Sequence, residues 1–173
     1  MNSKNKILII TIAVLFLTAT AAIILNRGNI EAQRELNNNA IFIIKENGQE
    51  VAQFNMSEIQ AIGEIEFEAT IRSSGRDPQD NTYTGVLLRN IFEHAGVSLE
   101  NHSAIVVTAA DGYASAVDIE KVLDDDNVYL AYIIDGELLG TREEGGVGPY
   151  QLIIRKDPFS QFWVKFAVSA DIN

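Results

Sequence analysis

His94 and His102 are the only histidines in this 173-residue chain. They stand eight residues apart, without metal-ligand spacing and with no acidic helix pattern beside them, so both read as surface residues. Ser73 paired with either histidine would make a nucleophile and base, but the Gly-x-Ser-x-Gly elbow that presents such a serine is missing. Asp124-Asp125-Asp126-Asn127 offers the hard oxygen ligands that calcium takes. The run lacks the glycine and the distal glutamate of an EF-hand loop, and reads as a solvated turn. Gly145-Gly146-Val147-Gly148 lacks the Lys-Ser/Thr pair and the helix that complete a phosphate loop. Glu143 and Glu144 would form an acid–base pair only if buried, and nothing in the sequence buries them. The absence of cysteine removes disulfides, thiolate metal sites and cysteine nucleophiles together. No residue is assigned a catalytic or a metal-ligating role.

A loop at the end of a strand is the better place to look. Ile65, Phe67, Ala69 and Ile71 alternate with Glu64, Glu66, Glu68 and Thr70, the period of a half-buried strand. The polar stretch from Ser73 to Asn81 contains Gly75 and Pro78, so the backbone is expected to leave the sheet there. A short helix is expected to pack back, with Val86, Leu87, Ile91, Phe92 and Ala95 on one side and Gly96 as its stop. A loop between a buried strand and a helix start is a common ligand site.

The remaining elements supply the frame. Ile41 to Ile44 and Val51 to Phe54 read as a hairpin around Asn47-Gly48. Asn55 with Glu58 three residues on predicts a capped helix start. Ala104 to Ala109 is an apolar strand, turned by Asp111-Gly112 into Tyr113 to Val117, and Asp118 is expected to cap a helical turn, Ile119 to Leu123. Val128 to Ile134 is another buried strand, Asp135-Gly136 marks a hairpin, and Gly140 to Gly148 reads as a flexible loop. Tyr150 to Ile154 and Phe162 to Ile172 are the expected closing strands. Strands outnumber helices and several connect through tight turns, which predicts an α+β fold with a mixed β-sheet and short helices rather than a doubly wound nucleotide fold.

Thr70-Ile71-Arg72-Ser73-Ser74-Gly75-Arg76 resembles the T-L-x-C-x-G-N/R loop of the sulfite-oxidase-like molybdopterin-binding oxidoreductase domain. Tyr83 to Arg89 resembles that family's W/Y-x-G-V-x-L helix entry, and Asp111-Gly112-Tyr113 its D-G-Y turn. Leu130-Ala131-Tyr132, Asp135-Gly136-Glu137 and Gly148-Pro149-Tyr150-Gln151-Leu152 follow in the family's order, with Trp163-Val164-Lys165 after them. The resemblance runs over residues 60 to 172 and implies the molybdopterin-domain fold.

Two departures bear on chemistry. Ser73 stands where the resemblance implies a cysteine ligand to molybdenum, and a hydroxyl is a harder, far less acidic donor than a thiol. Gln151 stands where it implies an anion-binding arginine, which removes a permanent charge and a two-pronged donor. The resemblance nominates Arg72, Ser73, Arg76, Arg89, Tyr113 and Lys165 as cofactor- or ligand-binding residues, with Trp163 beside them. Gathered at one loop, the four cations would make a positive pocket suited to a small anion or a pterin-like phosphate. Dispersed, they would neutralise nearby carboxylates, with Trp163 in the core.

Lys4 and Lys6 precede an apolar or Thr/Ala run from Ile7 to Leu25, ended by Asn26-Arg27. As a helix that run measures about 28 Å, close to the hydrocarbon thickness of a bilayer. Residues 1–26 are therefore expected to be a membrane anchor or a signal peptide, with Ala19-Thr20-Ala21 as a cleavage candidate. Either places the rest of the chain outside the cytoplasmic membrane of a bacterium-like cell, and with no cysteine there is no lipid attachment. Residues 27–39 read as a polar spacer and 40–173 as the folded domain. Residues 1–36 carry four basic and two acidic side chains, so of the net −11 the remainder carries −13. Such a surface repels nucleic acid and anionic lipid headgroups. The sequence thus predicts an extracytoplasmic, membrane-anchored domain without molybdenum redox activity and without cofactor, binding a small anionic ligand or an envelope protein partner. The alternative is an active molybdopterin-dependent oxidoreductase with Ser73 or solvent in place of the cysteine. A purely structural interaction domain is the third reading.

Overall fold

The computed structural model describes residues 11–12, 14–18, 20–21 and 39–173. The chain divides into two units, Met1–Leu36 and Asn37–Asn173. In the first, the described residues are helical, and the Thr18 and Thr20 hydroxyls donate to the carbonyls of Leu15 and Phe16. Among the described residues no helix is long and apolar enough to cross a membrane. Most of the 7–25 run and of the 27–39 spacer lies outside the described residues.

The second unit holds two five-stranded sheets and three short helices. Strands β1 (Phe42–Glu46) and β2 (Gln49–Phe54) form the expected hairpin. Asn47 and Gly48 take φ of +52° and +78°, the two left-handed positions that a type I′ turn demands and Asn-Gly supplies. The Asn55 side chain accepts from the Glu58 amide while Glu58 accepts from the Asn55 amide, closing the capping box of α1 (Met56–Gly63). Strands β5 (Ala104–Ala109) and β6 (Ala114–Asp118) pair across the Asp111-Gly112 turn. With β10 (Ala167–Ile172), which runs parallel to β1, they complete a sheet of order β2-β1-β10-β5-β6.

The second sheet is antiparallel. It runs β3 (Ile65–Ile71), β4 (Gln79–Leu87), β7 (Val128–Ile134) and β8 (Glu137–Leu138), with β9 (Gln151–Ile154) also on β7. On β3 the acidic residues face out and Phe67 and Ala69 face in, although Ile65 is exposed. Strand β4 corrects two expectations. The polar loop stops at Pro78, and Val86 and Leu87 end a strand; helix α2 (Leu88–His94) begins only after them. The apolar run Val86-Leu87-Leu88 is buried on every side, so it carries no period that separates strand from helix. Gly96 stops α2 as expected, its amide donating to the Glu93 carbonyl.

Two further expectations are corrected. Asp118 precedes α3 (Ile119–Leu123) without a side-chain capping bond. The stretch from Phe162 to Ile172 is a strand only from Ala167 on. Before it come a 3-10 turn, Ser160–Phe162, a bridge from Val164 to Leu152, and Phe166 in a left-handed conformation at φ +55°. Backbone bonds to Val147 and from Ala110 hold Phe166 there. The Gly140 to Gly148 stretch is irregular but closed by its own backbone, with Gly146 donating to Thr141 and Gly148 to Gly140.

Between the strands, Phe67 stacks on Tyr129 at 3.8 Å and on Tyr83 at 5.9 Å, and Tyr83 meets Trp163 edge-on at 6.1 Å. Four of the five tyrosines are buried: Tyr83, Tyr129, Tyr132 and Tyr150. Burial pushes the Tyr83 and Tyr129 phenols up to about 12, helped by Asp135 and Asp126 respectively. Burial also raises Tyr132 and Tyr150, beside Glu64 and Glu58. A folded-state value above the unfolded one of about 10 gives stability that is present below pH 10 and lost as pH rises through the folded value. Alkaline titration is therefore expected to show phenolate absorbance and loss of circular dichroism rising together near pH 12. Ionisation of all five phenols at pH 11 with the fold intact would contradict this packing.

Candidate functional site

A cavity of about 280 Å³ opens where four pieces of chain meet. The end of β3 brings Ile71 and Ser73; the β5–β6 turn brings Asp111 and Tyr113; the start of β9 brings Gln151; the irregular stretch before β10 brings Ser160, Trp163, Lys165 and Phe166. The pieces are fastened to each other. The Arg72 amide donates to Ser160 Oγ at 2.9 Å, and the Ser160 amide donates to the Arg72 carbonyl at 3.0 Å. The Tyr113 hydroxyl donates to the Gln161 carbonyl at 3.1 Å.

Of the nominated residues, Ser73, Tyr113 and Lys165 line this cavity, as does Trp163, whose Nε1 donates to the Ile154 carbonyl. Arg72 and Arg76 sit exposed on the bordering loop, held by the Ser160 clamp and by the Arg76 amide donating to the Ser73 carbonyl. Arg89 is not brought to the cavity: it pairs with Asp125 at 2.7 Å and donates to the Leu123 carbonyl. A helix residue facing an acidic turn finds a carboxylate there, and the dispersed reading holds for this one cation.

The other cations sharpen the contrast. Lys121, Arg142 and Lys156 pair with Asp157, Asp111 and Asp124, and Arg155 donates to the Glu68 carbonyl. Among the described residues, Lys45, Arg72, Arg76, Arg155 and Lys165 are left without a carboxylate. Three of those five lie in or beside one cavity, in a unit whose net charge is strongly negative. Gln151 is the second group of note: it is 3% exposed and it lines the cavity. An amide on a cavity wall offers both a donor and an acceptor to whatever enters.

Asp111 completes the wall, with Arg142 paired to it from behind the lining at 2.6 Å, and neither was singled out from sequence as a binding residue. The Tyr113 amide and then Arg142 hold the Asp111 carboxyl below the usual range, so it is charged and already engaged. Arg142 also lies over the Phe166 ring at 4.5 Å. Ser160, Phe166 and Arg142 come from irregular chain, where no periodicity marks them.

The remaining candidates lie elsewhere. His94 packs its ring near Phe54 on α2, and neither histidine lines the cavity. Asp124, Asp125 and Asp126 serve three separate partners, Lys156, Arg89 and Tyr129. Glu144 accepts from the Thr141 amide and hydroxyl, which hold its carboxyl low and charged. The amides of Gly146 and Gly148 are bound to backbone carbonyls, and a Cβ on Gly146 would collide with Leu139 and Gly140. Close packing accounts for these glycines.

The fold and the order of its motifs define a molybdopterin-domain class. The family model "Oxidoreductase molybdopterin binding domain" matches residues 37–161, and the chain belongs to that family. Among solved structures it is similar to the sulfane dehydrogenase SoxCD from Paracoccus pantotrophus, at a TM-score of 0.63 and 19% identity. That likeness covers 79% of this chain and 38% of the other, so the present chain spans well under half of that relative's length. At this identity the likeness shows the fold alone: α+β, with mixed sheets and short helices, as the sequence predicts. No curated protein matches the sequence.

Proposed function

We propose that this chain is a non-redox member of its family: a small-anion-binding module whose site is the cavity between Ser73, Gln151 and Lys165. The observation that carries the proposal is one cavity lined by both the Gln151 amide and a lysine without a carboxylate. An anion in reach of both accepts one charge-assisted and one neutral hydrogen bond, and Ser73 is placed on the same wall as a further donor. Arg72 and Arg76, on the bordering loop, raise the local potential and guide an anion in against the negative unit as a whole.

The donor set does not fit molybdenum. Ser73 offers an alcohol at the position of the thiolate, and no other residue of the chain can supply sulfur except its methionines. The 7–25 segment, with Lys4 and Lys6 before it, supports an anchored domain on the outer side of a membrane. Family membership favours one rival, an oxidoreductase in which Ser73 or solvent meets the metal.

Titration of the full chain with inorganic sulfate at low ionic strength tests the proposal. One saturable site per chain is expected, weakened tenfold or more in Arg72→Ala/Arg76→Ala/Lys165→Ala, a loss of about 1.4 kcal/mol or more. Equal heats from the two proteins, or none from either, would overturn it.

A further inference from the structure

The anion site just proposed is too large and too aromatic for an inorganic ion alone. An oxyanion of five heavy atoms displaces about two waters, roughly 60 Å³ of liquid volume. The cavity holds about 280 Å³. Its walls include Ile71 and three rings, Tyr113, Trp163 and Phe166. An oxyanion on Lys165 and Gln151 would leave those surfaces facing trapped water. Ligand sites in general are mostly apolar, with a few polar groups to orient the ligand.

Further rings are exposed on the chain that carries the cavity residues. Tyr113 is 45% exposed, and Phe159 and Phe162, on either side of the cavity residue Ser160, are 54% and 47% exposed. The Tyr113–Gln161 hydrogen bond holds these parts of the chain together. Exposed apolar surface of this kind is what a ligand or partner can cover.

A cationic ligand, the other usual guest of aromatic walls, fits poorly. Arg142 already lies over the Phe166 ring, and Asp111, the one carboxylate on the wall, is engaged by Arg142 and the Tyr113 amide. Lys165 would repel such a guest. One unpaired cation on the wall calls for one negative charge.

Resting on the anion-site reading above, we propose that the ligand is an aromatic monocarboxylate. Its carboxylate accepts from Lys165 and Gln151, and its ring lies among Tyr113, Trp163 and Phe166.

The probes are sodium benzoate, sodium acetate and inorganic sulfate, each titrated into the full chain. Trp163 is the only tryptophan, so its emission reports on the cavity directly. Benzoate is expected to bind at least tenfold tighter than acetate or sulfate and to change the Trp163 emission. Tyr113→Ala removes an exposed ring, and is expected to weaken benzoate about tenfold more than it weakens sulfate. Sulfate or acetate binding as tightly as benzoate, or a Tyr113→Ala effect equal on both anions, would overturn the aromatic assignment and leave the anion site standing. Failure of all three probes to bind would overturn both.

Discussion

Replacing Gly85 by alanine is expected to destabilise the chain by about 3 kcal/mol or more, a large effect for a single methyl group. A Cβ at this position would stand 2.5 Å from the Leu130 carbonyl oxygen and 2.8 Å from the Ala131 Cα. Both are backbone atoms of β7, so no side chain can turn aside to make room. The strands would have to part at the Gly85–Ala131 pair, beside the irregularity between Thr84 and Gly85. Ala131 also pairs with Gln151 on its other side. The same displacement therefore reaches the cavity, and the variant is expected to bind sulfate less well even where it folds. Urea denaturation checks the first effect: the midpoint falls while the slope is kept. A loss within about 0.5 kcal/mol, the scatter of surface substitutions, would show that the two strands are not in contact there.

How much of this was legible in the sequence depended on whether local chemistry or distant contacts set the backbone. The first hairpin was legible because Asn47-Gly48 asks for one turn, and α1 because Asn55 and Glu58 cap each other. Strand β7 was found with its observed bounds, since Asp135-Gly136 closes a continuous apolar run. Strand β4 was missed in part because burial on all sides erased the alternation that marks a strand. The stretch from Trp163 to Phe166 was misread for another reason. Its left-handed Phe166 is fixed by bonds to Val147 and Ala110, residues far away in sequence.

The site divides along the same line. Ser73, Tyr113 and Lys165 could be nominated because they sit in motifs whose order resembles a family, and the structure places all three on one cavity. Arg89 sits in such a motif too, yet Asp125 holds it away. Only tertiary pairing distinguishes the two cases. Arg142 belongs to no motif and reaches the wall through Asp111 and Phe166, so no local signal could have named it. Gln151 was noticed as a lost charge; what the sequence could not reveal was that it is 3% exposed on the wall of the cavity.

The second large effect expected under the proposed reading is the absence of bound molybdenum, and that expectation rests on one atom. A thiol ionises at about pH 8.5, lower still beside cations, and gives a soft anionic donor near neutrality. The hydroxyl of Ser73 ionises far less readily, and would need the metal to drive off its proton before it could serve as an anionic ligand. The chain contains no cysteine that could take its place. Gln151 then reduces the fixed positive charge available to hold an anionic cofactor beside it. Molybdenum content of the full chain, purified from a host competent to make molybdopterin and measured by plasma mass spectrometry, tests this most directly. The expected result is below about 0.05 molybdenum per chain, an alcohol being far harder to ionise near neutral pH than the thiol it replaces. About one molybdenum per chain, removed together with the pterin on denaturation, would contradict the account.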